Sequence, residues 1–401
     1  MNSLAIIKEI QRYYYYNIDI EFLLDKETIP IDFSELNIDN DYENAFNPTA
    51  YIRAQLDENV YTKMQNNRNK GRIVVTVNTY NTESTVQKKY FKKIFMYEFP
   101  TTGLDEVNKE TNDESDNKAY RQTYIGLIDI DAINRNKMII NNLFVNTNMS
   151  TMIHQYLTQD IIREPFDNNP DFDHFFIPPI EGIPEFLRYM NSRSSFYNTG
   201  FRYFDGYKCA YLLSNKGIPI DSKDNDNSFS TFYITISSAA ANPSQNTIID
   251  GFMENINRKC YYIDVLSSVV KFYENTVQDK LFNQIYMIGY DGKTVKRNID
   301  VNHVDESKTK PKIIRTFDSN FNFINTLKNQ LEITSQSLMM TCKCLDNSIV
   351  DPSKEYILTF SGQYQDRSGK YLLTRKGEQY AKKGEQYICN TVLHFKKVSN
   401  N

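Results

Sequence analysis

The chain predicts a mainly β protein with α+β parts, in which two strand-rich units flank a small mixed α/β unit. Three observations carry that prediction. First, Tyr (29) and Phe (25) are abundant among 401 residues, Trp is absent and Gly is sparse at 14. Abundant Tyr with Ile, Val and Thr suits pleated, half-buried surfaces better than a helical bundle. Second, strand-like runs fill residues 18–155 and return from about Asn246, while helical spacing is confined to short stretches. Third, residues 171–217 join a Pro-Pro pair, a short helical face and an aromatic hairpin pattern. The length allows two or three cores, and the pattern divides the chain at 1–159, 160–245 and 246–401.

Leu4, Ile7 and Ile10 mark one face of an N-terminal helix with Ser3 as its cap. Tyr13 to Tyr16 follow, readable either as a partner contact or as an ordinary half-buried element end. Strands are expected at Arg72–Tyr80, Lys89–Phe99, Tyr120–Asp131 and Lys137–Asn146, and a helix at Met149–Gln159. Thr101 to Ala119 holds six acidic residues against two lysines and reads as a long exposed loop. Asp160 to Pro179, rich in Pro, Asp and Asn, reads as an extended connector stopped at Pro178-Pro179.

In the central unit, Pro184 suits a first helical position, and Phe186, Leu187 and Met190 give the helix to Arg193 its apolar face. Phe201 to Phe204 and Tyr207 to Ser214 are strands, and Asp205-Gly206 between them is the signature of a type I′ hairpin turn. Asp221 to Asn227 is a polar turn before a third strand at Ser230–Ser238. Further strands are expected at Lys259–Val265, Leu281–Gly289, Thr294–Val301, Ile333–Leu345, Glu355–Phe360, Tyr371–Thr374 and Tyr387–Lys396. Tyr290 to Lys293 is a turn and Ser319–Gln330 a short helix. The pentapeptide KGEQY occurs at Lys376–Tyr380 and again at Lys383–Tyr387; a repeat this short defines no architecture and reads as a charged hairpin or strand edge.

Composition excludes several function classes. A net charge of −4 removes the warrant for a basic nucleic-acid surface. The N-terminal apolar run is broken by Lys8 and Glu9, unlike a signal peptide, and no apolar window reaches membrane-span length. Five scattered cysteines fit a reducing cytoplasm as the site of synthesis. The predicted protein is soluble and made inside a cell.

None of the four histidines (His154, His174, His303, His394) sits in a catalytic signature, and no G-x-S-x-G occurs. Cys342 and Cys344 form a lone C-x-C pair on a strand, better read as buried thiols than as half a zinc site. Asp224–Ser228 and Asp318–Asn322 imitate the start of a calcium loop but lack the Gly and Glu that complete one. Phosphate-binding glycine motifs are absent. The sequence therefore predicts no catalytic residue, no cofactor and no metal.

The segment Phe176–Ser214 resembles the hub proteins at the centre of phage baseplates and related contractile injection systems. There, a segment of the type PP…EFLxYLN…FYxTxFRFFxDxxxxYLLS links a short helix to a hairpin. Pro178, Pro179, Phe186, Leu187, Tyr189, Phe196, Tyr197, Phe201, Phe204, Asp205, Tyr211, Leu212 and Leu213 match it here, as structural core and without a catalytic role. This chain departs in reading Phe-Asp-Gly where many members have Phe-x-Asp.

The resemblance implies two tail-tube-like β-barrel domains flanking the small unit, and a homotrimer whose three copies give a pseudo-sixfold ring. The ring joins a sixfold tail tube, or tube-initiator ring, to a threefold central spike among other baseplate proteins. Phage DNA passes through its lumen without specific recognition. The expected location is the virion tail, after assembly in the host cytoplasm. Two other readings stay open: a tail-tip receptor- or carbohydrate-binding protein, and a tail-associated peptidoglycan hydrolase.

Overall fold

The computed structural model describes residues 14–81, 84–99, 106–108, 120–157, 160–197 and 200–215. Beyond these it describes the strands from residue 231 onward, together with 345–360 and 362–399. The chain begins with β1 (Tyr14–Leu24), β2 (Glu27–Pro30), β3 (Asp32–Asp41), β4 (Thr49–Asp57), helix α1 (Glu58–Asn66), β5 (Arg72–Asn81), β6 (Ser84–Glu98), β7 (Glu106–Asn108) and β8 (Tyr120–Ile128). The middle contains α2 (Ile130–Lys137), β9 (Ile139–Asn148), α3 (Met149–His154), β10 (Ile161–Arg163), β11 (Asp171–Glu181), α4 (Ile183–Ser194), β12 (Phe201–Asp205) and β13 (Ala210–Ser214). Then come β14 (Thr231–Ser238), β15 (Thr247–Asn255), β16 (Cys260–Ile263), β17 (Val269–Glu274), β18 (Gln284–Ile288), β19 (Thr294–Asn298) and β20 (Lys312–Arg315). The last strands are β21 (Gln336–Lys343), β22 (Glu355–Phe360), β23 (Gly369–Lys383) and β24 (Gln386–Ser399).

The protein is mostly β, and its strands close on themselves. Pairing runs β23-β3-β4-β8-β6-β5-β1-β24, and β24 returns to β23, which completes an eight-stranded barrel. A second ring runs β14-β22-β23-β24-β21-β17-β15 and closes from β15 back onto β14. Both rings contain β23 and β24. The half of this hairpin nearest its turn pairs with β3 and β1. The other half pairs with β22 and β21.

One irregularity lets β23 serve two cores. Its register against β24 shifts between Leu373 and Arg375, and an inserted residue moves the inward-facing set from one parity to the other. Before the shift Tyr371 and Leu373 enter the second ring's core with Leu358, Leu393 and Phe395. After it Tyr380 enters the barrel core with Tyr16, Tyr387 and Cys389. Alternate residues of β1 (Tyr16, Ile18, Ile20, Phe22) also fill that core, as the period of two requires. Tyr16 is fully buried, and its hydroxyl donates to the Leu345 carbonyl at 2.6 Å. Tyr16 is thus a core residue of β1 while Tyr14 and Tyr15 are half-buried; Tyr13 lies outside the described residues.

The small unit is a three-stranded sheet, β10-β13-β12, beside a two-stranded ribbon, β9-β11. Helices α3 and α4 share one apolar core with both. Asn148 caps α3 through Thr151 N–H at 2.9 Å, and a proline in the first turn starts α4 as predicted.

Several expectations need correction. Pro178 and Pro179 do not stop the chain; they lie inside β11, where the register shifts between Ile177 and Ile180. A two-stranded ribbon has free edges, so the missing N–H groups cost no ladder bonds. The stretch expected as a plain connector contains β10 and most of β11. Asp205-Gly206 is not a type I′ turn: Asp205 pairs directly with Ala210, four residues form the link, and Gly206 is absent from the positive-φ positions. The strand at 231–238 belongs to the second ring, parallel to β22, rather than to the small unit. Asp131 starts a helix instead of ending a strand, because Asp129 caps α2 through the N–H groups of Asp131 and Ala132. Helix α3 ends at His154, short of Gln159. The expected helices near Leu4 and at 319–330, and the turn at 221–227, lie outside the described residues. Of 101–119 only β7 is described, paired with β8.

Candidate functional site at the junction of the rings

The motif residues meet where the small unit enters the two rings. β12 and β13 are buried on both faces; all five residues of β13 are buried. Alternation sends Phe204, Tyr211 and Leu213 into the second ring's core. It sends Tyr203, Ala210 and Leu212 into the small unit's core, with Phe201 packed against it. Phe186, Leu187 and Phe196 of that core are fully buried. The Tyr197 hydroxyl donates to Glu164 O at 2.6 Å, and Tyr189 reaches Phe176 O at 3.2 Å. Pro178 is half-buried and Pro179 exposed on the ribbon.

Polar groups then fasten the two-sided sheet to its neighbours. Asp205 is fully buried. It accepts from Arg135 Nε of α2 at 2.6 Å, and its own N–H donates to Phe46 O in the β3–β4 loop at 2.8 Å. Arg202 donates from Nη1 to Leu373 O at 3.0 Å, beside the β23 register shift. Burial lowers the Arg202 pKa. Tyr42 closes the contact from the barrel side, edge-on to Phe204 with ring centroids 4.7 Å apart.

The Gly206–Cys209 link sits at a gap in the barrel. β6 and β8 pair only over Met96–Glu98, and Tyr207 packs there against Phe91 and Phe95, with centroids 5.2 and 5.1 Å away. Beside it Lys93 lies 3.1 Å from the buried Asp129. Gly206 N–H donates to Cys209 O at 3.1 Å, and a Cβ at Gly206 would stand 2.8 Å from that oxygen. Close backbone approach therefore selects glycine here, not a left-handed dihedral.

Next to Tyr207 lies a buried polar cluster. Lys376 and Glu378, each about 3% exposed, stand 3.2 Å apart. Lys376 Nζ also donates to Asn347 O (3.1 Å) and Val350 O (2.8 Å) and lies 2.9 Å from the Tyr90 hydroxyl, which reaches Glu378 at 2.9 Å. A cavity of ≈30 Å³ remains among these groups, Tyr42 and Tyr207, room for about one water. Burial raises the pKa values of Tyr42 and Tyr90 well above the phenol range, and the Glu378 carboxylate adds to it. Burial likewise pushes the Cys342 thiol up to about 12; Cys344 lies outside the described residues.

Sequence reasoning missed Lys376, Glu378, Tyr42, Arg135 and Arg202. For the first two a signal existed: in the first KGEQY copy Lys, Glu and Tyr alternate and share one face of a strand. The second copy forms the turn of the same hairpin, with Gly384 at φ 65°. Tyr42, Arg135 and Arg202 had no local signal. The three described histidines lie on three separate elements, α3, β11 and β24. The junction can bear load and align two rings. Lys376 with Glu378 and Arg135 with Asp205 are paired, whereas Arg202 is held through Nη1 alone and its Nε and Nη2 have no hydrogen-bond partner among the described residues.

This architecture is the fold of phage and prophage tail proteins. It is similar to a tail protein from Neisseria meningitidis MC58 (TM-score 0.52, 9% identity, covering 95% of this chain and 97% of that one). A 43 kDa tail protein of prophage MuSo2 from Shewanella oneidensis aligns similarly (TM-score 0.51, 8% identity, 93% and 98% covered). A chain of the lidded Francisella PdpA-VgrG complex aligns at TM-score 0.50 and 10% identity, over 98% of this chain and 54% of that one. No curated protein sequence matches. The chain belongs to the family described as Bacteriophage PBS1 gene 109 protein, whose model matches residues 5–398.

Proposed function

We propose that this chain is a structural protein of a phage tail baseplate: the central hub, a trimer that adapts a sixfold tail tube to a threefold spike. The observation that carries this reading is the pair of closed strand rings joined through one shared hairpin. Two linked rings per chain, repeated by a threefold axis, present six ring-shaped units to a tube. The junction supports the same role, because buried ties from Asp205, Arg202 and Lys376 hold the rings and the small unit in one orientation. The barrel interior is packed with Tyr16, Phe22, Phe95 and Tyr97, so a lumen for DNA lies between copies rather than through a barrel. In this reading the three-part division stands with its bounds moved: β9 and α3 join the small unit, β14 joins the second outer unit, and β23 and β24 are common to both outer units. The chain has no catalytic task.

Cryo-electron microscopy of the source particle's tail tip tests the proposal. Three copies in a ring between tube and spike are expected. Copies at the tail periphery would overturn the hub reading in favour of a receptor-binding one.

A further inference from the structure

The Tyr207 ring fills the gap in the barrel wall against Phe91 and Phe95. Its hydroxyl oxygen is buried and has no hydrogen-bond partner among the described residues. Such a group has left bulk water and gained nothing in exchange, which native folds rarely leave uncorrected.

A matching acceptor lies on the shared hairpin. Glu378 is 3% exposed, and its contacts with the Tyr90 hydroxyl (2.9 Å) and the Lys376 ammonium (3.2 Å) both fall on Oε1. A buried carboxylate is favourable only when donors meet its remaining lone pairs, so Oε2 has capacity for a further donor. Burial raises the pKa of Tyr207, and the carboxylates of Asp129 and Glu378 add to it. Burial also raises that of Tyr42, with Glu378 the largest charge acting on it. Both phenols therefore lie within the field of the same carboxylate.

Tyr207, Tyr42 and Glu378 line one cavity of ≈30 Å³. That is room for one water, and the walls offer the polar partners a water needs, whereas an apolar void of this size stays dry. A larger ligand does not fit. A cation is disfavoured by the Lys376 ammonium already beside Glu378. Lys208, which is exposed, borders the same cavity and marks its side nearest solvent.

We propose that this cavity is a binding site for a single ordered water, which accepts from the Tyr207 hydroxyl and donates to Glu378 Oε2. The water ties the Gly206–Cys209 link of the small unit to the hairpin that both rings share. Packing holds the Tyr207 ring in the gap, and the water fixes its polar end. The site does not depend on the hub reading, since all of its groups come from one chain.

The test combines a high-resolution crystal structure of the full chain with urea unfolding of Tyr207→Phe, which keeps the ring and its packing. A density peak is expected within hydrogen-bond distance of both Tyr207 Oη and Glu378 Oε2. The folding equilibrium constant of Tyr207→Phe should fall roughly fivefold, the loss of one net hydrogen bond. A hydroxyl with no partner predicts the opposite sign: deleting it leaves the constant unchanged or raises it, and that result overturns the proposal. A dry cavity, or a Tyr207 hydroxyl bonded directly to Asp129, overturns it whatever the stability.

Discussion

Replacing Lys376 by Met tests the buried cluster that locks the shared hairpin. Lys376 is 3% exposed, and its ammonium serves Glu378, Tyr90 and the carbonyls of Asn347 and Val350. Methionine retains much of the stem's packing but leaves the Glu378 carboxylate buried without its cation. Breaking such a pair from one side costs about 3–5 kcal/mol. The two carbonyls that lose their donor add a net of roughly 1 kcal/mol each. These losses overlap, so about 4 kcal/mol is expected, a fall of roughly 1 M or more in the urea midpoint. Removing the second charge as well, in Lys376→Met/Glu378→Leu, abolishes the uncompensated carboxylate and recovers more than half of the loss. Urea unfolding followed by tyrosine fluorescence, in a chain without Trp, reads both variants and closes a double-mutant cycle. A single variant within about 1 kcal/mol of wild type, or a double variant less stable than the single one, would refute the argument.

Three further outcomes follow from the same geometry. Burial raises the pKa values of Tyr16, Tyr42, Tyr90, Tyr207, Tyr211, Tyr356 and Tyr380 well above 10 in the folded chain. Their contribution is complete below the unfolded value near 10 and is lost as pH rises beyond it, because the unfolded chain then binds fewer protons; absorbance at ~295 nm should show these tyrosines ionising in one step with alkaline unfolding, not individually near pH ~10. Gly182→Ala destabilises by at least ~2 kcal/mol, since φ is 80° there and a Cβ would stand 2.2 Å from Asn136 O; thermal melting reads it, and an unchanged melt contradicts the strained cap of α4. Phe204→Ala costs about 3–5 kcal/mol for a residue 1% exposed against Tyr42, and the same melt should show native Cys209 becoming reactive to a thiol reagent.

How much was legible depended on the range of the interaction involved. The helix α4 was readable because Pro184 and the Phe186, Leu187, Met190 face are local signals, and the structure starts it within one residue of the expected position. Strands such as β5 and β22 were readable because β-branched and aromatic residues run through them, which is also a local signal. Pro178-Pro179 misled because a proline pair reads as a break, whereas the free edge and the shifted register of a two-stranded ribbon accept it. Asp205-Gly206 misled because that dipeptide suits a tight turn, yet the carboxylate was wanted by Arg135 and the glycine by a close carbonyl.

The sequence by itself determined that the chain is mainly β; the motif residues it groups are divided by the structure between two cores, with Pro179 exposed. The β character follows from residue size, polarity and period, which act over a few positions. Only the tertiary structure decided that two rings share β23 and β24, that β14 runs parallel to β22, and that Lys376 and Glu378 lie buried where charges were expected at an edge. Tyr16 meets Tyr387 from opposite ends of the chain, and no local pattern records that meeting. It is selected when both segments bury their inward faces against one core, an energy that exists only once the whole ring has closed.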